Sequence, residues 1–246
     1  MTTIKESYMT DKVQSKLYFQ GQQIIALEGK TSKEYELLMR RDIDGVARFP
    51  YQEFITTMTD HDQHKQYVTE LAVILPKGLS HNPNYTFSFN LDYQELFYEE
   101  TFTLFEQIDP ALRSRLKLEL TERLPLNRTN AYDEFLPKVQ LERLAALGYQ
   151  LVLDDFLAGV NSLAGLFEVP HLISRIKISV LHLKRFLPID TIIDIINLIV
   201  TAIDDMALEV VIEGVEDSDL IKDLPTSWRQ QSFYYSSPVN VEPITF

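Results

Sequence analysis

The sequence predicts an α/β fold in which about eight strands close into a (β/α)8 TIM-like barrel. Strand-like and helical segments alternate along nearly the whole chain, which is typical of a parallel sheet. About eight strands in 246 residues suit one closed barrel. Only eight glycines are present, and none forms the G-x-G-x-x-G pattern of a nucleotide-binding open sheet. An open doubly wound sheet is the structural alternative.

The expected strands are short segments that are apolar or that alternate between apolar and polar residues. Residues 115–122 alternate most clearly, because Leu116, Leu118 and Leu120 share one face. A charged turn is expected at residues 41–45. The predicted strands are residues 16–27, 34–40, 85–92, 115–122, 149–155, 174–181, 208–215 and 231–236.

Helices are expected where apolar residues recur every three to four positions. Pro50 begins one helix, and the segment Pro76-Lys77-Gly78 is expected to end it. Gly148 follows another helix at a position that favours glycine. The other predicted helices are residues 93–107, 134–147, 162–167, 188–206 and 217–224.

The composition is that of a globular protein, with 45% apolar and 24% charged residues. We expect a lead-in at residues 1–15 and one domain at residues 16–246. The net charge of -13 disfavours a nucleic-acid polymer as partner, since phosphate binding needs clustered Lys and Arg. The absence of cysteine excludes disulfides, thiolate metal ligands and a cysteine nucleophile.

The N-terminal residues are polar and mixed in charge, so no signal peptide is predicted. The most apolar run, residues 192–203, contains Asp194 and Asn197 and is too short to span a bilayer. We therefore expect a cytoplasmic protein without membrane insertion.

Polar side chains occupy the strand faces that a barrel would turn inward. Buried charge is costly unless it is paired or bound to a metal ion. The polar residues come from six predicted strands and are Glu36, Asn90, Glu119, Asp154, Asp155, Lys177 and Glu213. Their oxygen donors suit Mg²⁺ or Mn²⁺ better than Zn²⁺, because no histidine belongs to the set.

Simpler interpretations stay open on the residues alone. Asp154-Asp155 at a strand end is commonly a helix cap or a solvated turn. A single Glu on an alternating strand is usually exposed, and so is a single Lys. The case for a metal site depends on the repetition of such residues across strands. We expect the five histidines at the surface, and the aromatic cluster Phe233-Tyr234-Tyr235 in the core rather than as a stacking platform.

Seven short motifs occur in order along the chain. They are Glu36-Leu37-Leu38, Asn90-Leu91, Glu119-Leu120-Thr121-Glu122, Asp154-Asp155-Phe156, Lys177-Ile178, Glu213-Gly214-Val215-Glu216, and Gln231-Ser232-Phe233 through Pro238. Together they resemble the EAL-domain family, bacterial phosphodiesterases that cleave cyclic di-GMP. The resemblance implies a modified barrel with one antiparallel strand.

The resemblance also implies roles for individual residues. Glu36, Asn90, Glu119 and Asp154 would hold one Mg²⁺ or Mn²⁺ ion, and Asp154 with Asp155 a second. Lys177 would orient or deprotonate a water, supported by Glu213 and Gln231. Arg40 and Leu38 would bind the substrate, and Glu122 would anchor the loop after Asp155. The residues that carry these implied roles are Glu36, Leu38, Arg40, Asn90, Glu119, Glu122, Asp154, Asp155, Lys177, Glu213 and Gln231.

The chain departs from the family pattern after Asp154-Asp155-Phe156. Where the family usually reads G-T-G-Y-S-S, residues 157–162 read L-A-G-V-N-S. Ser179 stands where the family has Asp, and Ser232 where it has Gly.

The leading hypothesis is a phosphodiesterase that opens cyclic di-GMP to linear pGpG. The alternatives are a receptor that binds the nucleotide without cleaving it and a protein-interaction module. The partners considered are cyclic di-GMP, a second copy in a homodimer and a signalling protein.

Overall fold

A computed structural model describes residues 16–26, 33–125, 136–216, 224–225 and 227–240. The predicted lead-in at residues 1–15 lies outside the described residues, as do residues 134–135 and 217–223 of two predicted helices. The strands are β1 (Tyr18–Ala26), β2 (Glu34–Ile43), β3 (Val46–Arg48), β4 (Thr86–Leu91), β5 (Leu116–Leu120), β6 (Gln150–Leu153), β7 (Ile173–Ser179), β8 (Glu209–Glu213) and β9 (Arg229–Gln231).

The predicted closed barrel is confirmed. The strands pair in the order β1-β9-β8-β7-β6-β5-β4-β2-β3, and β1 also pairs with β2, which closes the ring. Strand β1 runs antiparallel to both β2 and β9, whereas the pairs from β2 through β4 to β9 are parallel. The antiparallel strand implied by the resemblance is therefore β1.

Strand β3 is an extra strand that forms a hairpin with β2 outside the barrel. The predicted turn at residues 41–45 is shorter, because Arg41 pairs with Arg48 and Ile43 with Val46. The turn itself is Asp44-Gly45, and both residues have positive φ, of 56° and 79°. Asp-Gly is a favoured two-residue hairpin turn, since both central residues of such a turn need positive φ.

The helices are α1 (Tyr51–Thr59), α2 (His61–His81), α3 (Glu99–Gln107), α4 (Pro110–Arg113), α5 (Lys138–Ala146), α6 (Leu163–Glu168), α7 (Val180–Leu183) and α8 (Ile189–Ala202). Short 3₁₀ segments occupy Tyr93–Phe97 and Asp204–Met206. The predicted helix at residues 93–107 is thus a 3₁₀ turn followed by α3. Among the described residues, no helix is both long and apolar enough to cross a bilayer.

The helix predicted from Pro50 differs from the structure at two points. Asp60 is extended and caps α2 by accepting hydrogen bonds from the amides of Asp62 and Gln63, so α1 and α2 are separate. The second difference is that Pro76 lies inside α2. An interior proline costs about 3 kcal/mol. The burial of Leu71 and Leu79 on the same helix offsets that cost, at about 1.5–3 kcal/mol for each side chain.

The last predicted strand is displaced along the chain. Strand β9 ends at Gln231, where the predicted strand began, and the chain turns at Phe233. The aromatic cluster is not in the core, because Phe233 and Tyr234 are 59% and 53% exposed. The prediction failed because apolar residues in a turn cannot be distinguished from a short strand by composition.

His64 is a buried exception to the prediction that the histidines lie at the surface. Its ring is fully buried in α2, and its Nδ1 atom lies 3.0 Å from Glu100 Oε1 on α3. Its Nε2 atom lies 3.7 Å from Glu95 Oε1. Burial disfavours the charged imidazole, but the hydrogen bonds and charges of Glu95 and Glu100 outweigh it and raise the pKa of His64 above 6.5.

We expect this histidine to make the stability of the protein depend on pH. A raised pKa in the folded state stabilises the fold fully below the unfolded pKa of about 6.5, and the contribution disappears as pH rises through the folded value. The unfolding free energy should therefore fall above about pH 6.5. In His64→Gln that fall should be smaller. Urea unfolding of both proteins from pH 6 to pH 9 measures it, and identical pH profiles would contradict the assignment.

Candidate active site

The ends of the barrel strands bring the predicted polar residues together. Asn90 is the register partner of Glu119, and Glu213 is the partner of Gln231. These residues lie at or next to the last residue of β4, β5, β8 and β9. Asp154 follows β6 directly. The carboxyl ends of the barrel strands therefore carry the predicted cluster, which is where β/α barrels carry their sites.

Glu36 lies near the start of β2 but at the same end of the barrel. Only residues Glu34 to Leu37 of β2 pair with β4, whereas Leu38 to Arg40 pair with β1 and Arg41 to Ile43 pair with β3. Glu36 is 6% exposed. Its carboxylate accepts hydrogen bonds from Asn90 Nδ2 at 2.7 Å and from Gln231 Nε2 at 2.6 Å. Because Asn90 donates through nitrogen, its amide oxygen is the atom available to a cation.

Lys177 lies at the centre of the cluster and is 1% exposed. Its ammonium donates to Glu36 Oε2 at 3.0 Å and to Glu119 Oε2 at 2.8 Å. It also lies 3.0 Å from Asp154 Oδ1 and 2.6 Å from Glu213 Oε1. Four carboxylates therefore surround one positive charge.

The ammonium cannot satisfy all four carboxylates, since it carries three N–H donors. Glu119 Oε1 is buried and accepts no hydrogen bond. Asp154 Oδ1 and Glu213 Oε1 are close to the ammonium but lack hydrogen-bond geometry. Ligand atoms of Glu36, Glu119 and Asp154 all lie within 4.8 Å of one another. This set of hard oxygen donors fits a divalent cation such as Mg²⁺ or Mn²⁺.

The surplus of negative charge is visible in the pKa values. Burial, together with the charges of Glu36 and Asp154, raises the pKa of Glu119 to about 8 despite the nearby Lys177. Burial and neighbouring acids likewise raise the pKa of Asp154 to about 6. The pKa of Lys177 is raised well above 10.5, because the four surrounding carboxylates outweigh the effect of burial. The cluster therefore holds more acidic groups than the single ammonium of Lys177 can balance in the cation-free protein.

A second charged cluster inside the barrel provides a contrast. It lies at the opposite end and consists of Glu34, Lys117, Arg175, Glu209 and Arg229. Fully buried Arg175 bonds Glu34 at 2.7 Å and Glu209 at 2.7 Å. Burial raises the pKa of Glu209, but the surrounding cations outweigh it and lower that pKa to about 2. Here two acids meet three bases, so the charges are compensated without a metal ion.

The loop after β6 holds an unusual backbone. Asp155 has φ of 43° and Leu157 has φ of 81°. Such a conformation costs a residue other than glycine about 1–3 kcal/mol. Gly159 at φ 51° lies against the chain, because a Cβ atom there would be 1.8 Å from the carbonyl oxygen of Glu122. Leu157 thus keeps a left-handed conformation that glycine would adopt without strain.

The loop is attached to Glu122 through the main chain. The amide of Val160 donates to the carbonyl oxygen of Glu122 at 3.0 Å. The predicted loop-anchoring residue therefore contacts the loop through its main-chain carbonyl group.

The two predicted substrate-binding residues lie on β2 outside the carboxylate cluster. Arg40 is partly buried and donates to Gln20 Oε1 at 3.1 Å and to the carbonyl of Met39 at 2.8 Å. Leu38 is partly buried and pairs with Gln20 in register. Neither contacts Lys177 or the carboxylates through a hydrogen bond given by the structure.

A cavity of about 150 Å³ opens beside the cluster. Its lining includes Glu36, Glu213 and Gln231, together with Leu181, Ser232 and Phe233. The exposed Phe233 is therefore part of the entrance to the site. The predicted motifs contain Phe233 as well as Glu36, Glu213 and Gln231 from this lining, whereas Leu181 belongs to none of them.

Two polar residues next to the cluster, Asn161 and Tyr93, were not predicted from the sequence. Asn161 is fully buried, and its side chain bonds Tyr93 and two backbone carbonyls. The sequence carries a signal for Asn161, because an asparagine stands at this loop position where the EAL pattern usually has serine.

Solved structures with the same fold include PaMucR phosphodiesterase in complex with c-di-GMP. It is 21% identical, with a TM-score of 0.71 over 92% of this chain and 93% of that chain. Klebsiella pneumoniae BlrP1 with manganese and cy-diGMP is 21% identical, with a TM-score of 0.70 over 91% of this chain and 56% of that chain.

The EAL enzyme Bd1971 in its cAMP-bound form is 23% identical, with a TM-score of 0.67 over 91% of this chain. The matched region is 64% of Bd1971, so the chain spans less than two thirds of the length of that protein. No curated protein matches the sequence.

The family model of the EAL domain matches residues 7–226, which is most of the chain. The match contains the motifs from Glu36 to Glu216, and the barrel with antiparallel β1 agrees with the fold of the solved structures. The chain belongs to the EAL domain family.

Proposed function

We propose that the protein is a metal-dependent phosphodiesterase that hydrolyses cyclic di-GMP to linear pGpG. The observation that carries the proposal is the surplus of buried carboxylates around Lys177, with Glu119 Oε1 left without a hydrogen bond. A scaffold gains no stability from such a cluster, because buried charge is costly unless compensated. The PaMucR and BlrP1 structures are complexes with the same cyclic dinucleotide, which supports the choice of substrate.

The carboxylate oxygens of Glu36, Glu119 and Asp154, which lie within 4.8 Å of one another, support the proposed cation ligands. Glu36, Asn90, Glu119 and Asp154 would hold one Mg²⁺ or Mn²⁺ ion, and Asp154 with Asp155 a second. When bound, the ions supply Lewis-acid polarisation of the phosphodiester. The BlrP1 complexes contain manganese or calcium, which supports a divalent ion at this type of site.

Other residues would orient the water and the substrate. The raised pKa of Lys177 keeps its amine protonated in the cation-free site, so it is suited to donate a hydrogen bond to water rather than to accept a proton. Glu213 and Gln231 would orient that water and Glu36. Arg40 would bind a phosphate through its forked guanidinium. Hydrolysis then consumes one water and breaks one P–O3′ bond, which leaves a 5′-phosphate on the linear product.

Four further assignments belong to the same proposal. Leu38 would contact the substrate beside Arg40, and Glu122 would anchor the loop after Asp155. We also propose a cytoplasmic location and a homodimer. Size-exclusion chromatography with light scattering tests the dimer.

A receptor without turnover is the second candidate. Leu157 favours it, because its positive φ of 81° strains the loop that carries Asp155. Ser179 also favours it, since its hydroxyl caps α7 by accepting from the amide of His182 at 3.3 Å and offers no carboxylate.

One pair of assays separates the candidates. Cyclic di-GMP is incubated with the protein and Mg²⁺, Mn²⁺ or EDTA, and products are resolved by chromatography. Calorimetry with the same nucleotide measures binding. We expect pGpG with either metal and none with EDTA. Tight binding without product would support the receptor, and the absence of both binding and product would leave the protein-interaction module.

A further inference from the structure

Asn161 links three segments of the chain through one side chain. Its Nδ2 atom donates to the carbonyl of Leu120 at 2.8 Å and to the carbonyl of Asp154 at 2.6 Å. Its Oδ1 atom accepts from the hydroxyl of Tyr93 at 2.8 Å. The residue is fully buried. Both amide hydrogens and the amide oxygen therefore have partners inside the protein.

Each partner of Asn161 is a proposed cation ligand or lies within three residues of one. Leu120 ends β5 directly after Glu119. Asp154 is itself a proposed ligand. Tyr93 begins the 3₁₀ segment that follows β4, three residues after Asn90. Asn161 thus joins the ends of β4, β5 and β6, the strands that bring these ligands together.

Asn161 also makes two main-chain hydrogen bonds within its own loop, around a residue that has a positive φ. The amide of Leu157 donates to the main-chain carbonyl of Asn161 at 2.7 Å, and the amide of Asn161 donates to the carbonyl of Ala158 at 3.0 Å. Leu157 holds its positive φ within this closed turn. The loop that carries Asp155 is therefore fixed at the same point as the strand ends.

We propose that Asn161 is a positioning residue that holds Asn90, Glu119 and Asp154 in the arrangement that binds a divalent cation. It acts through the main chain of β5 and β6 and through Tyr93, and does not touch the cation. The proposal rests on the proposed function of the cluster as a metal site. Only an amide serves here, because a carboxylate lacks the two donors and an apolar side chain lacks all three hydrogen bonds.

The test compares Asn161→Ala and Asn161→Asp with a matched control, Asn82→Ala. Asn82 is 2% exposed, and its Nδ2 donates to the carbonyl of Gly78 at 2.8 Å, away from the cluster. Calorimetry measures Mn²⁺ affinity, and amide hydrogen exchange is followed in the cation-free protein. Both Asn161 variants should bind Mn²⁺ about 10-fold to 100-fold more weakly, the range found when residues behind metal ligands are replaced. The control should lose stability and keep its affinity.

Two further readouts separate positioning from general destabilisation. The amide of Asp154, which donates to Leu120, should exchange faster in Asn161→Ala and at an unchanged rate in the control. In steady-state kinetics kcat should fall while KM for cyclic di-GMP stays constant, because no proposed substrate contact is removed. Unchanged Mn²⁺ affinity or unchanged Asp154 exchange would overturn the proposal.

Tyr93→Phe keeps the test decisive if Asn161→Ala does not fold. It removes one hydroxyl and leaves both amide donors of Asn161 in place. We expect a several-fold loss of Mn²⁺ affinity, and no loss would overturn the link to β4. If the wild-type protein binds no Mn²⁺, the proposed function fails, whereas exchange at Asp154 still decides whether Asn161 holds the strand ends.

Discussion

Replacing Glu36 with alanine is expected to abolish turnover and to weaken Mn²⁺ binding by more than about 100-fold, beyond the range for residues behind the ligands. Glu36 accepts hydrogen bonds from Asn90 and Gln231 and pairs with Lys177. Its loss removes one proposed oxygen ligand and also releases Asn90 and Gln231 from their positions. Calorimetry with Mn²⁺ and the product assay measure the two effects.

Glu34→Ala is the matched control for Glu36→Ala. Glu34 lies two residues earlier on the same strand, faces the same interior and is 5% exposed. It bonds Arg175 in the opposite, charge-compensated cluster. Its loss should destabilise the fold by about 3–5 kcal/mol, as expected when a buried ion pair loses one partner, but should leave Mn²⁺ affinity intact. Full activity of Glu36→Ala would refute the ligand assignment.

Replacing Lys177 with methionine should destabilise the cation-free protein by about 3–5 kcal/mol. The ammonium is the positive charge that faces Glu36, Glu119, Asp154 and Glu213. Without it the four acids meet with no compensation, and they must take up protons or repel one another. Urea unfolding in EDTA measures this loss, and turnover should fall because the variant lacks the ammonium that we propose orients water.

Mn²⁺ should restore much of that stability, because the ion supplies the positive charge that the variant lacks. Binding at 100 times the dissociation constant stabilises a protein by about 2.7 kcal/mol. The rise in melting temperature with Mn²⁺ should be larger for Lys177→Met than for the wild type. Arg175→Met, which breaks the other cluster, is the control and should show only the wild-type increase. Equal increases in all three proteins would contradict a cation site around Lys177.

Alternation along the strands predicted the interior of the barrel well. Glu119 and Lys177 were expected to point inward from their positions between apolar neighbours, and both are buried. The side-chain period of two makes this prediction local, since each strand must turn its apolar face to the helices. The closed barrel followed from the same reasoning, because alternating strands and helices leave few other arrangements.

Contacts between residues that are far apart in the sequence could not be predicted from strand alternation. His64 looked like a surface residue because its partners, Glu95 and Glu100, come from a different helical region. The break at Asp60 was missed, since hydrogen bonds to two amides prevailed over a continuous helical pattern. Phe233 was misplaced because its exposure depends on where β9 ends.

The sequence by itself determined the family, the barrel and the residue types that enter it, because motif order and strand alternation are local properties of the chain. Only the tertiary structure distinguished the two clusters of buried charge. Arg175 meets acids that it can compensate, whereas Lys177 meets four carboxylates with three N–H donors. Charge balance depends on which strands are neighbours and at which end, and that is decided when the barrel closes.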